Sequence, residues 1–377
     1  MTLERYILRQ LLIGVLFAAG GMAFVAMPGI FVTAVHRLSG VGMGAVLGFV
    51  PLLLLDLLPY LIPIGFLLAL VATYGRMAAD NEWTAMSMAG IHPLRLVRPA
   101  ALVALVLSGG LYFLATEVAP RANFQMRNYS KNSAMRMLRT LNPGRTELKF
   151  RDFYLSARER DPDNRYRFGQ VVMQFPGTKH DPAQIVFAQA AEFSFDETSM
   201  VVDLTAPRWV GEADDMYVGT VQLKADLNAL FKTGDMSALE WKFQPSSEVA
   251  RRIDRSRELL ALEGAAALEA KKDDFDYIPE RLLDTATYEL HNREALALVC
   301  PMFLLLGIPT GLLLRRGSQL GAFAAAVGYA LIYYLLSMRL GKGLGVAGAV
   351  PQWLAAFGTT ILGSLIGLVM SFFALRR

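Results

Sequence analysis

The sequence predicts a polytopic α-helical membrane protein with six transmembrane helices, arranged three plus three, and an all-β, jellyroll-like domain inserted between helices 3 and 4. Three observations carry this. The chain of 377 residues is 54% hydrophobic and only 19% charged, and its mean hydropathy is +0.36. Its apolar residues collect in blocks long enough to cross a bilayer, which takes about 20 residues. Between the third and fourth blocks the hydrophobic period drops to two, the pattern of half-buried strands.

A short basic start with Arg5 and Arg9 leads into the first span, Leu11–Val35. This run is long for the apolar core of a signal peptide and lacks a clear cleavage site, so it reads as a retained span. After His36 and Arg37 comes the second span, about Gly48–Gly75, in which Pro51, Pro59 and Pro63 predict a kink. The polar interval Tyr74–Arg98 joins it to the third span, Pro99–Pro120. The fourth span runs from about Glu294 to Leu314, a basic turn follows at Arg315-Arg316-Gly317, and the fifth covers Leu320–Leu340. A Gly-rich loop then precedes the sixth span, Pro351–Leu375. The chain thus divides into 1–120, an insert at 121–292, and 293–377.

Within the insert, apolar residues alternate at Val171, Met173 and Phe175, at Ile185 and Phe187, and at Met200, Val202 and Leu204. Turn signals at Asp161-Pro162-Asp163-Asn164, Pro176-Gly177, Asp196-Glu197-Thr198 and Gly211-Glu212 separate these runs. Short strands punctuated this way form sandwiches and jelly rolls. The charged stretch Ser246–Asp274 turns helical again and reads as a solvated helix leading back to the membrane.

The net charge of +4 matters less than where the cations sit. With the N-terminus inside, the cytoplasmic face holds Arg5, Arg9, Arg76, Arg95, Arg98, Arg315, Arg316, Arg376 and Arg377. The short outer loops hold Arg37, Arg339 and Lys342. That asymmetry places both termini in the cytoplasm and the insert outside.

Several chemistries are excluded or disfavoured. Cys300 has no partner cysteine, so an internal disulfide, a zinc cluster and a redox pair are unavailable. No G-x-x-x-x-G-K-[ST] occurs, so the chain does not hydrolyse ATP by a P-loop mechanism. His36, His92, His180 and His291 lie on separate segments and suggest no metal site. The insert has no nucleophile–base pair and no Gly-rich phosphate loop.

In the Tyr74–Arg98 interval, Asp80 or Asn81 can cap a short helix, Glu82 suits its positive end, and Gly90 with Pro93 can close it. Trp83, Met86 and Gly90 form a small apolar stripe, suited to docking into a groove of a soluble partner. An ordinary interfacial loop with Trp83 at the headgroups remains the alternative. Two acids, Asp56 and Glu117, fall within apolar spans, and pairing with Arg37 or Arg121 is the simplest account of them.

The stretch TYGRMAADNEWTAMSMAGIHPLRLVRPA resembles the corresponding loop of the lipopolysaccharide-transport permeases, the LptF/LptG family. The likeness continues in LERYILRQ, in EVAPRANFQMRNY and in YELHNREALALVCPMFLLLGIPTGLLLRRGSQLG. GFLLALVATYGRM and LIYYLLSMRLGKGL look more like LptF, while MRNY has some LptG character. The resemblance implies an inner-membrane subunit of an ABC transporter that extracts lipopolysaccharide, with a periplasmic jellyroll. It implies a coupling helix at about 81–90, with Glu82 in its acidic position and Trp83, Met86 and Gly90 beside it.

The implied partners are an LptG-like (or LptF-like) paralogue, a cytoplasmic dimer of an LptB-like ATPase, an LptC-like membrane protein and an LptA-like periplasmic bridge. ATP and Mg would be used by the ATPase, with no cofactor on this chain. Arg37, Arg121, Arg127, Lys131 and Arg136 are candidates for holding lipid A phosphates, which Arg binds bidentately and Lys as a point charge. In the family the first and fifth spans form lateral gates, which makes Gly328, Tyr329 and Tyr333 candidates there; packing is the plainer role. The rival reading is a membrane-anchored envelope-assembly or sensor protein whose β domain is the working part.

Overall fold

A long apolar run in hydrocarbon can bury its peptide groups only by hydrogen-bonding them within its own segment, which means winding into a helix. The computed structural model describes residues 2–38, 43–126, 129, 148–149, 154–164, 166–175, 184–195, 199–210, 219–226, 243–261, 277–313 and 319–376. Helices occupy every predicted apolar block. They are α1 (Thr2–Arg37), α2 (Met43–Ala79), α3 (Glu82–Met88), α4 (Pro93–Phe113), α5 (Ser246–Ala261), α6 (Glu280–Ala297), α7 (Val299–Leu313), α8 (Gln319–Leu335), α9 (Lys342–Val346) and α10 (Gln352–Arg376). Helix α4 continues through a π-helical turn, Leu114–Val118, and on to Met126; a second such turn, Leu336–Gly341, links α8 to α9.

Among the described residues, five helical segments are long and apolar enough to cross a membrane, and a sixth forms if α6 and α7, bent by 43°, count as one span. That bent pair differs from the sequence expectation. The fourth span was expected to begin near Glu294, but helix already runs from Glu280, because α6 carries acids on a helix that is otherwise half buried. Helix α1 is the least covered: Leu16, Phe17, Phe24 and Val25 are each about three-quarters exposed, as suits contact with lipid or another membrane subunit.

The chain forms two compact units: 1–27, 54–122 and 241–377 in one, and 28–53 and 123–240 in the other. In the first, two buried clusters hold the helices together. One gathers Ile7, Phe66, Leu70, Tyr74, Trp83, Leu96 and Ile308; the other gathers Leu67, Val299, Phe303, Ala326 and Tyr333. Helix α10 lies close on α7 because Gly363 and Gly367, four apart, keep side chains out of the contact. A Cβ on Gly367 would stand 2.7 Å from Leu305 Cβ and 2.9 Å from its carbonyl carbon.

In the second unit the strands are β1 (Leu148–Lys149), β2 (Tyr154–Arg160), β3 (Arg167–Phe175), β4 (Gln184–Phe195), β5 (Ser199–Thr205), β6 (Arg208–Val210) and β7 (Thr220–Asp226). They make one antiparallel sheet in the order β1-β2-β3-β4-β5-β7, with β6 on β4. Among the described residues these strands form that single sheet, and no second layer. The β2–β3 turn falls where Asp161–Asn164 predicted it: Asp161 accepts from the amide of Asp163, and Asn164 from that of Tyr166. The other three turn signals lie outside the described residues.

One face was misread. At the start of β4 the buried residues are Val186 and Ala188, and Phe187 is exposed; further along, Ala191 and Phe193 are buried. Val171 of β3 pairs with Ala188, so that pair and Met173 share the covered face. Residues 185–188 are apolar on both faces, so alternation alone could not choose between them. Deeper in the sheet, Phe168 and Phe193 meet edge to face at 5.7 Å.

The α7–α10 contact gives a direct check. Gly367→Ala should lower the midpoint of thermal unfolding of the detergent-solubilised protein, costing about 1–3 kcal/mol as overpacking does. Gly358→Ala, whose Cβ would meet nothing within 4 Å, should leave it unchanged.

Candidate functional site

The turn between α2 and α4 is built as a short helix on a rigid base. Asn81 closes α2 in a left-handed conformation, φ 58°, and makes no side-chain cap. The cap expected from Asp80 or Asn81 is therefore replaced by a sharp backbone reversal, which asparagine tolerates well. Seven residues of α3 follow. Gly90, at φ 82°, then ends the helix: its amide donates to Ser87 O at 3.1 Å and the Ile91 amide to Met86 O at 3.1 Å. That pair of bonds is the Schellman ending, in which the residue after the cap is left-handed and is usually glycine. His92 accepts from the Leu94 amide and Pro93 opens α4.

Trp83 and Met86 do not face outward. Trp83 is 9% exposed and stands edge to face on Tyr74 at 6.2 Å. Tyr74, fully buried, donates its hydroxyl to Leu96 O at 2.9 Å, tying the end of α2 to the start of α4. Met86 and Ile91 pack on the same cluster. The stripe read from the sequence as a docking face is thus the helix's own anchor. What α3 offers to solvent is Ala85, Ser87, Met88 and Ala89, with Met88 79% exposed. Glu82 is half buried near α1, its Oε1 3.5 Å from the Tyr6 hydroxyl. Arg95 approaches Glu4 at 3.7 Å, so α1, α3 and α4 meet at this end.

The candidate cations are placed unevenly. Arg37 ends α1, exposed, in the second unit. Arg121, in the first, donates to Glu117 at 2.8 Å across one helical turn; Glu117 itself sits in the π-helical turn. That is the pairing proposed for this intramembrane acid. Arg127, Lys131 and Arg136 lie outside the described residues.

Of the gate candidates, Tyr333 is 7% exposed, hydrogen-bonds Thr360 at 3.1 Å and packs on Phe303. Tyr329 is half buried on the same cluster, and a Cβ on Gly328 would meet nothing within 4 Å. Tyr333 therefore holds α8 against α7 and α10.

Sequence reasoning passed over one polar cluster. Arg293 of α6, 7% exposed, donates to Gln244 O at 2.9 Å, and Arg252 of α5, 8% exposed, donates to Gln244 Oε1 at 3.2 Å. Ser256 accepts from the Ile278 amide at 2.8 Å. Helix α5 is thus locked onto α6, not freely solvated as its charge suggested. The only hint in the sequence was Val249, Ile253 and Leu259 at helical spacing.

Fold and site together define a class: a multi-pass membrane protein with an antiparallel β insert between its third and fourth spans. The profile of the lipopolysaccharide export system permeases LptF/LptG matches residues 5–372. The chain belongs to that family and is a non-catalytic, transmembrane permease subunit of the lipopolysaccharide export system. No curated protein matches it individually.

The anchor predicts a specific loss. Trp83→Ala should remove about 3 kcal/mol of packing or more. Amide hydrogen exchange across 80–92 should then accelerate in the subunit alone, while Trp83→Phe stays near wild type.

Proposed function

We propose that this chain is the LptF-like subunit of the inner-membrane exporter, paired with an LptG-like paralogue. Two copies of an LptB-like ATPase bind from the cytoplasm and hydrolyse ATP with Mg. Both termini are cytoplasmic, and the β domain is periplasmic. It passes lipopolysaccharide toward an LptC-like protein and an LptA-like bridge.

The observation that carries the reading is the construction of α3: a short helix fixed from within by Trp83 and Tyr74, with Ala85, Met88 and Ala89 turned outward. A rigid base under a small apolar face is what a force-transmitting contact needs, since a compliant loop would absorb the displacement. The chain lacks a P-loop, so the force must come from another subunit. ATP-driven motion of that subunit would push on α3, and the spans around the cavity would close on the lipid. Glu82, Trp83, Met86 and Gly90 then act together, Glu82 at the rim of the contact, the other three setting the helix's position. Arg37, Arg121, Arg127, Lys131 and Arg136 are proposed to hold lipid A phosphates at the periplasmic mouth. For Arg121, whose side chain is two-thirds exposed, this requires exchanging Glu117 for phosphate. Gly328 and Tyr329 are proposed to border the lateral gate, with Tyr333 behind them.

Two substitutions separate the parts. Met88→Asp should abolish co-purification of the ATPase with little change in the subunit's own thermal stability, because Met88 is 79% exposed; Glu82→Lys should weaken association and transport. Retention of both under either change would remove the coupling assignment. For the cations, Arg37→Glu combined with Arg121→Glu should reduce photo-crosslinking to lipopolysaccharide at least about tenfold, as loss of charge-assisted phosphate bonds implies. Unchanged crosslinking would discard that site.

A further inference from the structure

The break in the fourth span has a chemical cause that also names its controller. Pro301 has no N–H, so the carbonyl four residues earlier, Ala297 O, loses its helical partner. The helix bends there by 43°. The Ser108 hydroxyl, from α4, donates to that same Ala297 O. The pattern occurs twice: Pro309 frees Leu305 O, and the Ser371 hydroxyl of α10 donates to it at 3.1 Å. At Pro309 the helix carries on as α7; at Pro301 it breaks at Leu298, φ −84° and ψ −2°.

The depths agree. The bend stands one 15-residue helix above the end of α7, about 22 Å. Ser108 lies about the same distance along α4 from Pro93. That lower end of α7 is on the α3 side, since a Cβ on Gly311 would come within 2.8 Å of Gly75 N. Beyond the bend, α6 and α5 are joined through Arg293, Gln244 and Arg252.

We propose that Ser108 is a positioning residue for export: it holds the bend of the fourth span by taking the place of the N–H that Pro301 lacks. Helix α4 begins at the coupling turn and reaches Ser108, so a shift of α4 changes the support of the bend and swings α6 with α5. This rests on the function proposed above.

The test uses the whole complex reconstituted in lipid. ATP turnover and ATP-dependent transfer of lipopolysaccharide to an acceptor are read separately. Spin labels at Arg257→Cys and Leu313→Cys, in a Cys300→Ala background, report the bend. Ser108→Ala should lower transfer per ATP about fivefold, the effect of one lost hydrogen bond, and broaden the label distance. Ser108→Thr should keep both near wild type. Pro301→Ala, which restores the helix's own donor, should straighten the span, lengthen the distance and lower transfer while ATP turnover persists. Adding Ser108→Ala to Pro301→Ala should then change nothing further.

Wild-type transfer in Ser108→Ala, additive effects in the double variant, or an unchanged distance in Pro301→Ala would overturn the inference. If the unmodified complex moves no lipopolysaccharide, the proposed function itself fails. The label distances would then still report whether Ser108 and Pro301 act on the same carbonyl.

Discussion

Hydrocarbon supplies no water to a bare carbonyl, and each one left without a donor costs several kcal/mol. This chain places prolines inside its fourth apolar segment and must find donors for the carbonyls they release. It finds them on neighbouring helices, Ser108 for Ala297 and Ser371 for Leu305. The consequence is more than local. Each serine must arrive at a fixed depth and face, so α4 and α10 are both keyed in register to the fourth span. The close α10–α7 contact at Gly363 and Gly367 lies on the same face as the Ser371 bond, two turns and one turn away. Packing and polar satisfaction are therefore a single requirement in this bundle.

The same reasoning explains why the coupling turn is rigid. A loop at a membrane surface can satisfy its peptide groups with water, so nothing forces it to be ordered. Here the chain orders it anyway, with Trp83 on Tyr74, Tyr74 on Leu96 O, and a glycine-terminated helix end whose bonds are closed by Ser87 and Met86. Three elements, the end of α2, α3 and the start of α4, share one buried cluster with the first turns of α1. A displacement applied to α3 is delivered to α1, α2 and α4 together.

Much of this was legible from sequence because the bilayer imposes its length on the pattern. The blocks starting at Leu11, Gly48 and Pro99 had to be spans, and the period-two runs around Val171 and Val202 had to be strands. What stayed hidden shares one cause: an apolar stripe shows which side of an element avoids water, not what covers it. Trp83 and Met86 fit a partner's groove and the chain's own core equally well, and the core took them. Ile185 and Phe187 alternate as well as Val186 and Ala188, and pairing with Val171 chose the latter. For α6, the acids Glu280, Asp284 and Glu289 masked a helix that leads, through the bend at Leu298, into the membrane segment. The buried arginines Arg252 and Arg293 were unreadable, because Gln244 joins residues from two separate helices and is used through its backbone as well as its side chain.

The central claim is the orientation of α3, with its tryptophan turned in and Met88 turned out. The most direct measurement is site-specific photo-crosslinking in the assembled complex, with a photoreactive amino acid placed in turn at positions 83, 85, 88 and 89. Positions 85, 88 and 89 should crosslink to the ATPase, and position 83 should crosslink only within the chain. Strong capture of the ATPase from position 83, with none from 88, would contradict the account.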